Sequence, residues 1–195
     1  MTDASKTLRY VAFTFMALFG LFGGMFVAGS AFDDPGGWAA VGMTALWVIP
    51  LVALSVFAFR QPEAAGPVFV AATALVVLFT LADSAFGIIP RDDWGPIAAV
   101  AVFALGVALA FLGLHRPALA GMLMVAAGLA QLVATVIGVA VRETGDGPGP
   151  GSMLGGSSGV VVLPILVVGV LFLIAGSLDR ESLRPGSATP VSRAH

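Results

Sequence analysis

The stretch FTLADSAFGII, Phe79 to Ile89, holds the only charge between Gly66 and Pro90. An ionised carboxylate in hydrocarbon costs several kcal/mol, so Asp83 must be accounted for. Thr80, Asp83 and Ser84 fall three or four residues apart, as one helix face requires, and Gly87 continues the stripe. Gln131 and Thr135, four apart, offer a second polar stripe in another apolar run. A polar cluster of Asp83, Thr80, Ser84, Gln131 and Thr135 in the outer half of a helix bundle is therefore expected. Three chemistries remain open. A carboxylate that gains and loses its proton beside water would relay protons or cations; a neutral, hydrogen-bonded one would join helices; an early helix end would leave it among headgroups.

Other chemistries lack their residues. There is no cysteine, which removes disulfides, thiolate metal sites and thiol redox reactions. His115 lies in a short turn and His195 is the last residue, so no imidazole sits within an apolar run to ligate haem or metal. The serines at 152, 157 and 158 have no histidine near them for activation. Asp33/Asp34 and Asp92/Asp93, with Glu143 and Asp146, have the hard oxygen donors that calcium or magnesium takes, but solvated turns are the expected role. No phosphate-binding or dinucleotide glycine motif is present. Neither a metal nor a cofactor is expected, and no enzymatic activity. The net charge of -2 gives no reason to expect nucleic acid as a partner.

The elements that would position Asp83 follow from composition. With 58% apolar and 10% charged residues and a mean hydropathy of +1.02, the chain reads as an all-α integral membrane protein. A helix needs about 20 apolar residues to cross about 30 Å of hydrocarbon. Six runs qualify, at 11–29, 38–59, 66–89, 97–114, 118–141 and 159–178, forming a transmembrane domain over 11–178. Residues 1–10 are expected as a short N-terminal segment, 142–158 as a flexible outer loop rich in glycine, proline and serine, and 179–195 as a disordered tail. The arginines of that tail suit anionic headgroups.

Lysine and arginine choose the orientation. With both termini cytoplasmic, Lys6, Arg9, Arg60, Arg116, Arg180, Arg184 and Arg193 lie inside, and Arg91 and Arg142 outside. Trp38 and Trp94 then fall at the outer boundary and Tyr10 at the inner one, as interfacial aromatics should. A cleaved signal at the first span is the alternative, since Lys6 and Arg9 precede it and VAGSA follows, but the apolar run exceeds a typical signal core. The setting expected is a plasma membrane, most naturally a bacterial one.

Residues 61–80 align with 116–135 at an offset of 55, matching Pro62 with Pro117, Gly66 with Gly121 and Thr80 with Thr135. Three helical hairpin repeats are expected. The plan is similar in arrangement to small bacterial acid-resistance membrane proteins, though no motif carries residue roles across. Helix packing is expected along Gly20, Gly24 and Ala28 on the first span and Ala126, Ala130, Ala134 and Gly138 on the fifth, with shorter surfaces at Gly106/Ala110 and Gly169/Gly176. The same faces would serve a homo-oligomer or another membrane protein. Pro50 and Pro164 mark positions where a span would bend. The function expected is that of a non-enzymatic accessory or envelope-associated component in the lipid bilayer; the alternative is a small transporter or proton/ion conduit using Asp83 and Gln131.

Overall fold

The computed structural model describes residues 3–33, 37–86, 97–140 and 157–182. They form six helices: α1 (Asp3–Asp33), α2 (Gly37–Arg60), α3 (Pro62–Phe86), α4 (Ile97–His115), α5 (Pro117–Ala140) and α6 (Ser157–Ser182). There is no strand among the described residues. By length and composition α1, α2, α3, α5 and α6 each contain a stretch able to cross a membrane, and α4 contributes the shorter apolar stretch Ala101–His115.

Five helices surround the sixth. Following the packing from neighbour to neighbour gives a ring α1, α2, α3, α5, α6 and back to α1, with α4 in contact with all five. Composition explains why α4 takes the centre. From Ile97 to Leu114 it has no polar side chain, and alanine or glycine recurs on every face, so neighbours can approach from all directions. Every residue from Val102 to Ala110 is buried. The ring helices bury one side only. Phe22, Phe26, Leu75, Leu78 and Val136 point outward and give the bundle the apolar surface that lipid requires.

Two of the connections are single residues. The Gln61 nitrogen donates to the Phe57 oxygen (2.9 Å), and the Gln61 oxygen accepts from Ala65 (2.9 Å). Arg116 repeats this pattern with Leu112 (2.7 Å) and Ala120 (3.1 Å), fifty-five positions later. In both turns a proline follows, at the first position of the next helix, where its missing N–H costs nothing. The chain therefore leaves one helix and enters another with few orphaned backbone groups. At the far end of α2, Gly37 opens the helix with φ 58°, a left-handed conformation that a side chain would strain.

The helix ends differ from the apolar runs. α1 begins at Asp3 rather than near Val11, and α6 continues to Ser182, beyond Leu178. At about 1.5 Å per residue, α1 reaches about 46 Å, well over the hydrocarbon thickness. Its polar first turns are held by neighbours, Ser5 and Arg9 both being buried. The helices continue through Pro50 and Pro164. Residues 141–156 and 183–195, with most of the outer loop and the tail, lie outside the described residues, as do Asp34, Gly87, Asp92, Asp93, Glu143, Asp146, Ser152 and His195.

Candidate functional site

The two polar stripes occupy neighbouring helices. Near the start of α3, Gly66 lies against Arg116 and Leu119 at the start of α5, and the two helices pack together from there. Thr80 stands eighteen residues beyond Pro62 and Thr135 eighteen beyond Pro117, which puts both about 27 Å along parallel helices. Thr80 is turned inward at 6% exposure, while Asp83, Ser84, Gln131 and Thr135 are half-buried. The Thr135 hydroxyl donates to the Gln131 carbonyl on its own helix, at 2.9 Å. Asp83 sits one turn before Phe86, the last described residue of α3. Only the two threonines share a height; Asp83 lies about 32 Å along α3 and Gln131 about 21 Å along α5, so the stripe spreads one carboxylate, hydroxyls and an amide over about 10 Å of the two helices.

A second polar group sits at the opposite end of the bundle, among the basic residues that set the expected orientation. Arg9 on α1 forms an ion pair with Asp179 on α6, their side chains 9% and 17% exposed. Its other terminal nitrogen donates to the Leu114 carbonyl at 3.1 Å, in the last turn of α4. Carbonyls there lack partners within the helix and carry partial negative charge, so a guanidinium is a suitable cap. One turn earlier on α1, the Ser5 hydroxyl donates to the Ala175 carbonyl of α6 at 3.1 Å. Arg9 thus ties α1, α4 and α6. At the same end, Phe59 meets the His115 ring edge-on, with centroids 6.1 Å apart.

This network had a signal in the sequence. Ser5, Arg9, Ala12, Met16 and Gly20 follow helical spacing and form one continuous buried face of α1. Extending the Gly20/Gly24 stripe toward the N-terminus would have led to Arg9. On α6, the buried Phe172 and Ala175 lead in the same way to Asp179.

Small residues set the closest helix contacts. Gly20 faces Val107 and Phe103 of α4, Gly24 the Trp47 ring of α2, and Gly106 the Met16 methyl. On α5 the tight positions are Gly121 and Gly128, which face Gly169, Leu173 and Leu166 of α6. Gly169 in turn faces Met124 and Val125, and Gly176 faces Ala118. Ala130 and Ala134 are buried, but Ala126 is exposed. Steps of four residues advance about 40° beyond a full turn, so the stripe 126, 130, 134, 138 winds around α5 and leaves its first member outside the contact. Ala28 and Gly138 lie within α1 and α5.

No family model, curated protein or solved structure matches this chain.

Proposed function

We propose that this chain is a multi-pass plasma-membrane protein with both termini cytoplasmic, acting as a non-enzymatic accessory or envelope-associated component. The observation that carries the reading is the central position of α4. Where a conduit through a six-helix bundle would leave its axis polar and wet, this axis holds a helix with no polar side chain from Ile97 to Leu114. In this reading Asp83 is interhelical glue between α3 and α5. The matched turns at Gln61 and Arg116 support a plan of hairpin repeats, with α3 and α5 as equivalent members. The gathering of Arg9, His115, Arg116 and Arg180 at one end supports its assignment to the cytoplasm.

A conduit is the second reading, favoured by one observation: Asp83 is half-buried on the helix beside Gln131. The substitution Asp83→Asn in reconstituted vesicles separates the two. The accessory role predicts no pH-driven ion flux in either protein, with the variant less stable by about 0.5 to 2 kcal/mol, the range of interhelical hydrogen bonds. A flux in the natural protein that disappears in a folded Asp83→Asn variant would establish the conduit.

A further inference from the structure

An open cleft of about 330 Å³ lies at the basic end, between the start of α5 and the end of α6. Its polar lining is Arg9, His115, Arg116, Asp179 and Arg180, and Met122 extends it along the outward face of α5. Three arginines against one aspartate leave it with a net charge of +2 when His115 is neutral. The members differ in what they have left to offer. Arg9 is committed to Asp179 and to the Leu114 carbonyl. Arg116 and Arg180 are exposed and form no ion pair among the described residues.

Further features favour an anion. The cleft opens at the N-terminus of α5, where the helix dipole is positive. Gly66, lacking a side chain, leaves room for the Arg116 guanidinium beside the second turn of α3: a methyl built there would lie 3.2 Å from its Nη1. Met122, 52% exposed, lies about one and two-thirds turns beyond Arg116, roughly 9 Å along the outward surface of α5, so an acyl chain could run beside it. A phosphate at the cleft and hydrocarbon along Met122 describe one molecule.

We propose that this cleft binds the phosphate of an anionic glycerophospholipid, held by Arg116 and Arg180, with an acyl chain lying along Met122. Basic pockets between helix ends are a known route to headgroup recognition. The inference rests on the bilayer placement given under Proposed function, and needs neither the accessory role nor the repeat.

The test is native mass spectrometry of the full chain released from detergent. The probes are phosphatidylglycerol, phosphatidylcholine and inorganic phosphate. Retention of phosphatidylglycerol should exceed that of phosphatidylcholine by about tenfold and fall by about tenfold in Arg116→Gln/Arg180→Gln. The variant Lys6→Gln/Arg60→Gln removes the same charge elsewhere and should keep the lipid. Inorganic phosphate at equal concentration should not displace it. Equal retention of both lipids, equal loss in the two variants, or displacement by inorganic phosphate would each overturn the proposal, the last by assigning the cleft to a soluble anion. Sedimentation of the natural chain with membranes, measured in the same preparation, tells failure of the cleft apart from failure of the bilayer placement.

Discussion

Burying a guanidinium is expensive unless acceptors replace its water; Asp179 and the Leu114 carbonyl do so at the two terminal nitrogens of Arg9, while its Nε has no hydrogen-bond partner. Removing Asp179 leaves the guanidinium buried without its counter-charge. Asp179→Ala should therefore cost about 3 to 5 kcal/mol, measured by chemical unfolding in detergent. The double change Arg9→Met/Asp179→Leu, which removes both charges and keeps the volume, should recover most of the loss. An Asp179→Ala variant as stable as the natural chain would show that the pair contributes nothing. The same pair marks where sequence reading stopped. Lys6 and Arg9 look alike beside an apolar run, yet Lys6 is exposed and Arg9 is buried. Helical phase separates them, because Arg9 shares the face of Ala12 and Met16 and Lys6 does not.

At the scale of elements, α5 meets α6 through a glycine whose nearest neighbours are backbone atoms. A methyl at Gly121 would lie 2.7 Å from the Gly169 oxygen and 2.8 Å from the Leu173 nitrogen, and backbone atoms cannot rotate away. Gly121→Val should thus destabilise the bundle by about 1 to 3 kcal/mol, the range of core overpacking. Gly42→Val, on a face of α2 with nothing within 4 Å, is the matched control and should stay close to the natural stability. Equal thermal shifts in the two would contradict close packing at Gly121. The helices themselves were legible because apolar length gives them directly, and Gly169 and Gly176 stood out as a small-residue face. The central place of α4 was not legible. Lipid and protein are equally apolar, so a helix without a polar side chain fits either a lipid-facing or a buried position. Its alanines and glycines on every face were the one cue, and a list of single stripes does not reveal them.

The described residues form a ring of five helices around α4, with Arg9, His115, Arg116 and Arg180 collected at one end, a distribution that follows from which segments carry arginine. The polar stripes were legible only as neighbours: the offset of 55 placed Thr80 and Thr135 at one height, but hydropathy could not say how far Asp83 is covered. Large exposed side chains at both ends agree with a bilayer setting, Trp38 at 89% and Tyr10 at 64%. The chain has no cysteine, so single cysteines report position without background. The most direct measurement of the bilayer placement is labelling of Lys6→Cys and Trp38→Cys in intact cells with a maleimide that cannot cross membranes. Trp38→Cys should react at once and Lys6→Cys only after permeabilisation. Reaction of Lys6→Cys in intact cells with Trp38→Cys protected, or recovery of the full chain as a soluble monomer without detergent, would contradict it.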